Sequence, residues 1–269
     1  MDAELLLASV LDIERIHLYV QYDRPLSMEE RTAFREAVAR RGKGEPVQYI
    51  LGEQEFWSLP FKVNRDVLIP RADTEVLVEE ALAFFSGWTG PDRRVVADLG
   101  TGSGAISCAL ASECPNLSFV AGDLSRAALA VASENAARNG VAEQIHFVEG
   151  DGLRPLVQAN GGIPFDAVVS NPPYITEDDF PSVMREVREW EPRHALTAGP
   201  EGTDVIEPLL RDVSGDCLKP GGGFFLEIGS VQQARKVADF LEKACFEQVR
   251  VRDDYAGKAR VVVATKGSV

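Results

Sequence analysis

Arg94-Val95-Val96-Ala97-Asp98-Leu99-Gly100-Thr101-Gly102-Ser103-Gly104-Ala105 runs from a short apolar segment into a glycine-rich turn. Residues 95–99 read as a buried strand, and 105–113 as a helix rich in small apolar residues. A strand that turns through glycines into a helix is the repeating unit of a doubly wound α/β sheet. The unit recurs downstream. Residues 117–123 form a second strand, followed by a helix over 125–138 that Asn139-Gly140 ends. Third and fourth strands are expected at 145–148 and 165–170. After an irregular region and a helix near 205–217, Pro220-Gly221-Gly222-Gly223 turns into a fifth strand at 224–228. A helix over 231–243 leads to two closing strands, 248–252 and 260–264. Only a short turn separates those two, so they pair antiparallel; a parallel return needs a longer crossover. The expected core is a seven-stranded, Rossmann-like α/β sheet.

Upstream, Leu5, Leu6, Val10, Leu11 and Ile13 recur at helical spacing. A second helical segment, 28–40, follows the turn at Asp23-Arg24-Pro25, and Ser27 with Glu30 is a capping-box pair. Arg41-Gly42-Lys43-Gly44-Glu45-Pro46 breaks the pattern. Strand-like pieces at 55–57, 61–63 and 67–69, punctuated by Pro60 and Asn64-Arg65-Asp66, suggest a hairpin. A helix over 74–85 follows, with Asp73 or Thr74 as its cap. The expected organisation is a small helical N-terminal domain (1–45), a linker with hairpin (46–72) and a catalytic domain (73–269).

The 269 residues are 45% hydrophobic and 26% charged, enough apolar material for a sizeable core. The net charge of -14 opposes the phosphate neutralisation on which generic nucleic-acid binding depends, so no direct nucleic-acid contact is expected. Cys108, Cys114, Cys217 and Cys245 form no CxxC pair, and His17, His146 and His194 lack metal-ligand spacing. No metal and no disulfide framework are expected. The acidic start Met1-Asp2-Ala3-Glu4 is unlike a secretory leader, and no apolar run reaches membrane-spanning length. A cytoplasmic monomer is the expectation.

In doubly wound sheets ligands bind beyond the carboxyl ends of the strands. Gly100, Thr101, Gly102, Ser103 and Gly104 occupy the first such end, where free helix amides greet an anionic group. That loop alone suits a nicotinamide dinucleotide, a methyl donor or no ligand. Asp98, just before it, suits the cationic methionine end of a methyl donor and repels a pyrophosphate. Asp123 ends the second strand, where a carboxylate can take ribose hydroxyls of either cofactor. Asp151 and Gly152 follow the third, where an acceptor can meet an adenine amino group; the bland alternative is a loop aspartate.

The fourth strand runs into Asn171-Pro172-Pro173-Tyr174. Proline fixes φ and removes a donor, so the segment is stiff and rich in acceptors. The Asn171 side-chain oxygen and the Pro172 carbonyl can each accept one hydrogen of an NH2 group. An amide nitrogen is a poor nucleophile because its lone pair is delocalised. Two fixed acceptors favour the charge that develops on it during alkylation. The ring of Tyr174 can cover the planar group and a cationic sulfur. The bland alternative is a rigid turn.

With these motifs the chain resembles the HemK/PrmC release-factor glutamine methyltransferases over nearly its whole length. Glu45-Pro46-Val47-Gln48-Tyr49-Ile50-Leu51-Gly52, Glu55-Phe56-Trp57 and Leu68-Ile69-Pro70-Arg71-Ala72-Asp73-Thr74-Glu75 carry the likeness upstream. Asp98 to Gly104, the Asn171 segment and Glu191-Pro192-Arg193-His194-Ala195-Leu196 carry it in the core. The resemblance implies a class I S-adenosylmethionine methyltransferase fold and a helical domain that helps recognise peptide chain release factors. It also implies methylation of the glutamine in their GGQ motif, leaving S-adenosylhomocysteine. By position, Gly100 to Gly104, Asp123, Gly152 and Asn171 would contact the cofactor, and Asn171 to Tyr174 would hold the glutamine. Gly152 stands where many members carry a bulky aromatic. Glu191, Arg193 and His194 receive no chemical role from sequence, and Arg71 and Glu75 are placed at the active-site edge. Competing readings are an adenine amino-methyltransferase acting on nucleic acid, a donor-sensing module without catalysis, and a nicotinamide oxidoreductase.

Overall fold

The computed structural model describes residues 1–87 and 93–268. The N-terminal region holds α1 (Asp2–Leu11), α2 (Arg15–Val20), α3 (Met28–Gly42) and α4 (Val47–Leu51). The capping box at α3 forms in both directions: the Glu30 amide donates to Ser27 Oγ at 3.1 Å, and the Ser27 amide donates to Glu30 Oε2 at 2.7 Å. Arg40 and Arg41 lie in its last turn, where cations suit the carbonyl end of a helix. The helix α4 falls inside the stretch expected as linker.

A hairpin follows, β1 (Glu53–Phe56) paired antiparallel with β2 (Leu59–Lys62). Pro60, expected as the break, lies within β2 opposite Glu55, and residues 67–69 form no strand. The turn is instead Trp57-Ser58, both with positive φ (53° and 56°). Such primed turns favour Asn and Gly, so Trp-Ser gave no turn signal. The Trp57 amide donates to Glu75 Oε1 at 2.8 Å and its indole to Glu113 Oε1 at 2.9 Å, which holds the turn. A 3-10 turn at Ala72–Thr74 then enters α5 (Glu75–Ser86).

From residue 94 the chain alternates: β3 (Arg94–Leu99), α6 (Ala105–Glu113), β4 (Leu117–Asp123), α7 (Arg126–Arg138), β5 (Ile145–Glu149), α8 (Arg154–Ala159) and β6 (Phe165–Ser170). Next come α9 (Arg185–Trp190), α10 (Ile206–Ser214), β7 (Leu218–Glu227), α11 (Val231–Lys243), β8 (Phe246–Asp253) and β9 (Ala259–Lys266). One seven-stranded sheet results, in the order β5-β4-β3-β6-β7-β9-β8, with β9 antiparallel to both its neighbours. This is the Rossmann-like methyltransferase topology expected, with a small helical region at the N-terminus. The strand β7 starts earlier than expected and takes in Pro220 to Gly223. A side chain at Gly223 would meet the Phe84 ring at 3.0 Å, so glycine lets α5 lie close to the sheet.

Period-two alternation builds two cores. Val96, Phe119, Ala121, Ala167, Val169 and Phe225 face α5 and α6. Ala97, Val120, Val168, Phe224 and Leu226 face α8, α10 and α11. The strand order reverses between β3 and β6, whose last residues Leu99 and Ser170 stand in register. Ser170 Oγ donates to the Leu99 carbonyl at 2.8 Å. The glycine turn and the Asn171 segment therefore leave the sheet side by side.

Candidate active site

Beyond these two strand ends lies a cavity of about 490 Å³, ample for a nucleoside-sized ligand. Gly100 and Gly102 adopt positive φ (71° and 55°) on its floor, with Thr101 and Ser103. Gly104 does not line the cavity. There, an added side chain would meet Ala132 of α7 at 3.2 Å, so its glycine serves helix packing. Asp123 Oδ2 accepts the Gly102 amide at 2.9 Å, and Oδ1 the Ser125 amide at 2.9 Å. The carboxylate at the end of β4 is thereby fixed on the cavity wall.

Asp98 departs from expectation. It is fully buried beneath the turn and is absent from the cavity wall. Alternation along β3 puts it on the Val96 side, toward α6, under the residues that follow Gly100. Thr101 Oγ1, which does line the cavity, donates to Asp98 Oδ2 at 2.7 Å, while Oδ1 has no hydrogen-bond partner among the described residues. Burial pushes this carboxyl up to about 6 against hydrogen bonds from Thr101 and Ser107. Its charge therefore acts on the cavity through the loop rather than by contact.

Asp151 and Gly152 line the far end. Gly152 takes φ 72°, and an added side chain would lie 3.7 Å from Asp212 Oδ2. Pro208, Leu209 and Asp212 of α10 also line that end. Where many members carry a bulky residue after Asp151, glycine leaves the cavity open toward these α10 side chains.

Asn171 and Pro173 line the cavity; Pro172 is buried behind them. Tyr174 is also absent from the wall. Its ring packs against Gly229, where an added side chain would meet the ring at 2.4 Å, and its hydroxyl donates to Glu227 Oε1 at 3.4 Å. The expected cover by this ring over a planar substrate is not the arrangement seen. The missing side chain at Gly229 opens a slot behind the loop, and Gln233 Nε2 donates to the Tyr174 carbonyl at 2.8 Å to hold it there.

The segment 66–75 contributes more than sequence reasoning assigned to it. Arg71 and Thr74 line the cavity. Arg71 donates to Glu191, whose other oxygen accepts the Ile69 amide at 3.1 Å. Asp73 pairs with Arg260 at 2.9 Å, and Glu75 holds the hairpin turn. Glu191 thus pins this segment beside the Asn171 loop; burial raises its pKa and the Arg71 guanidinium opposes that rise. His194 lines the cavity, whereas Arg193 lies over the Phe180 ring at 4.8 Å. Asn135 of α7 belongs to no motif in the sequence, yet it ties the hairpin to the glycine turn. This buried amide donates to the Ser103 carbonyl (2.9 Å) and the Lys62 carbonyl (3.1 Å), and accepts the Lys62 amide (2.7 Å). Its signal was only a polar residue on the buried face of an otherwise regular helix.

Asp66, Asp123, Asp151, Asp204 and Asp212 all reach the cavity, against one arginine. Such a wall favours a cationic ligand and disfavours a pyrophosphate. The donor set fits S-adenosylmethionine better than a nicotinamide dinucleotide.

Comparison with known proteins agrees. The PrmC N-terminal domain family matches residues 1–52, and the methyltransferase small domain family matches 77–199. The release factor glutamine methyltransferase of Geobacter sulfurreducens is 42% identical over 97% of this chain and 88% of its own length. That of Nitratidesulfovibrio vulgaris is 40% identical over 99% and 88%. Among solved structures, the hMettl16 catalytic domain in complex with MAT2A 3'UTR hairpin 6 superposes with a TM-score of 0.61 at 14% identity, covering 79% of this chain and 77% of that one. A methyltransferase from Pyrococcus furiosus gives 0.52 at 17%, covering 86% and 98%. These likenesses speak for the fold alone. Sequence identity at this level over almost the entire length is what shows kinship: the chain belongs to the release factor glutamine methyltransferase family.

Proposed function

We propose that this enzyme transfers a methyl group from S-adenosylmethionine to the side-chain amide nitrogen of the glutamine in the GGQ motif of a peptide chain release factor, in the cytoplasm. One observation carries the reading: the Leu99–Ser170 register sets the glycine turn and the Asn171 segment on one acidic cavity. S-adenosylmethionine, when bound, supplies an electrophilic methyl group on a cationic sulfur. Gly100 to Ser103 would hold the methionine end, with the Asp98 charge beneath them. Asp123 would take ribose hydroxyls, and Asp151 the adenine amino group beside Gly152. The Asn171 side-chain oxygen and the Pro172 carbonyl would accept the two hydrogens of the glutamine NH2, orient its lone pair and stabilise the positive charge growing on nitrogen. The methylated nitrogen then gives up a proton to water without a strong base. Tyr174 supports the loop from behind. Residues 1–45 would help recognise the release factor.

The test is mass spectrometry of a release factor after incubation with enzyme and donor, alongside DNA and RNA incubated in parallel. The GGQ glutamine should gain the mass of one CH2, and the nucleic acids should stay unlabelled. Asn171→Ala should bind the donor yet lose about 100- to 1000-fold in kcat, the usual cost of one fixed acceptor or donor at a charge-developing centre. Labelled adenine with an untouched release factor would replace this reading with amino-methylation of nucleic acid.

A further inference from the structure

An arginine is out of keeping with an acidic cavity that suits a cation. Among the described residues, Arg71 is the only lysine or arginine on a wall that carries Asp66, Asp123, Asp151, Asp204 and Asp212. A bare guanidinium there would repel a sulfonium. The structure cancels its charge from behind. Arg71 donates to Glu191 Oε1, and the Glu191 side chain is 1% exposed. Glu191 Oε2 accepts the Ile69 amide at 3.1 Å, so the carboxylate is fixed against the same segment that carries the arginine.

What the pair leaves over is hydrogen-bonding capacity. A guanidinium holds its N–H groups in a rigid planar fork. One nitrogen of Arg71 meets Glu191; the other donors of the fork make no hydrogen bond among the described residues, and the side chain is 37% exposed at the cavity. Donors without net charge suit a neutral acceptor. A phosphate or carboxylate would bring its own charge against the aspartates with no net cation to meet it. A carbonyl oxygen brings none. The substrate segment supplies such oxygens: glycine has no side chain, so two successive glycines let the main chain come close to a wall and present its carbonyls.

We propose that Arg71 is a substrate-binding residue that receives a main-chain carbonyl of the glycines preceding the acceptor glutamine, and that Glu191 is its positioning residue, holding the fork and cancelling its charge beside the cationic donor. This rests on the glutamine methyl-transfer reading above and extends it. Arg71 reads the peptide around the reacting amide, and the Asn171 loop reads the amide itself. A main-chain carbonyl takes no part in methyl transfer, so the contact is equally strong before and during the reaction. Its loss therefore shows in KM and not in kcat.

The experiment measures methylation of a release factor by wild type, Arg71→Met and the double variant Arg71→Met/Glu191→Gln, with donor and product affinities from calorimetry. Arg71→Met should raise KM for the release factor about 10- to 100-fold, the worth of a hydrogen bond from a charged group, with kcat within about threefold. Should Arg71→Met fail to fold because Glu191 is left buried and unpaired, the double variant carries the same expectations with two neutral side chains. Its donor Kd should stay within about twofold of wild type. Glu191→Gln alone leaves the arginine charge uncancelled. It should weaken S-adenosylmethionine about fivefold relative to S-adenosylhomocysteine, whose sulfur is neutral, and the double variant should restore the wild-type ratio. Lost packing by itself would weaken both ligands alike. An unchanged KM in the variants without the arginine overturns the proposal. So does a donor Kd weakened about tenfold or more in the double variant, because the fork would then serve the donor's own carboxylate, and so does a donor-to-product ratio that Glu191→Gln leaves unmoved. A wild type that leaves the glutamine unmodified overturns the functional reading, and this inference with it.

Discussion

Asp98 is a carboxyl held out of water with the Thr101 hydroxyl as its donor. Such a group resists ionisation until a positive charge arrives nearby, because burial penalises the charged form. Filling the cavity above Thr101 with a cationic donor supplies that charge. The carboxyl, raised to about 6 without ligand, should drop on binding and release a proton. Affinity for S-adenosylmethionine should then be flat above pH 7 and weaken below 6, approaching tenfold per pH unit, as expected for one linked proton. Calorimetry in buffers of different ionisation enthalpy would detect the released proton. Asp98→Asn should bind more weakly at pH 8 and lose the pH dependence. An unchanged slope in that variant would show that another group is responsible.

At the level of elements, the hairpin is joined to the cofactor turn by a single side chain. Asn135 satisfies Lys62 on β2 and Ser103 in the glycine turn at once. Leaving the buried Ser103 carbonyl unpaired costs about 1–3 kcal/mol, and the part-buried Lys62 groups, which water can reach, cost less. Asn135→Leu should accordingly lower the denaturation free energy by roughly 2–4 kcal/mol and weaken donor binding, whereas Asn139→Ala, one turn on, should cost roughly 1 kcal/mol or less. Chemical denaturation of both variants with and without donor checks this; equal effects would deny Asn135 its bridging role. The sheet itself was legible because its signals are local. Strands 117–123 and 165–170 and helices 105–113 and 231–243 fall on the bounds their periodicity gave. What stayed hidden depends on distant partners. The Trp57-Ser58 turn survives through Glu75 and Glu113, Thr74 forgoes its cap for Asn171, and Arg71 finds Glu191 in a far loop. Asp98 stands at the expected strand end, but its side of the sheet follows from which face the glycine turn covers. Tyr174 was aimed at the ligand because the slot beside Gly229 lies beyond the next strand.

For the molecule as a whole, two carboxyls buried at the strand ends set a cost on stability that depends on pH. Glu227 is the larger case, pushed from 4.5 up to about 7 by burial, with Thr74, Arg260 and Tyr174 only partly offsetting it. Its folded-state pKa exceeds the unfolded value, so between these limits the native state binds more protons. Stability then falls as pH rises. This contribution is complete below about 4.5, is lost progressively up to about 7, and stays lost above it. At about 1.4 kcal/mol per pKa unit the loss is a few kcal/mol, an appreciable share of the stability of a domain. Asp98 adds a smaller decline of the same sign, between its ordinary value of 3.8 and about 6. Glu227→Gln keeps the volume and removes the titration. It should be more stable than wild type at pH 8 by a few kcal/mol, with the difference shrinking toward zero at pH 4. Taking the difference between two chains that differ at one residue cancels the remaining titrating groups. Denaturant curves at three pH values suffice to measure it. A gap that stays constant with pH would mean that Glu227 ionises as easily in the folded protein as an exposed glutamate.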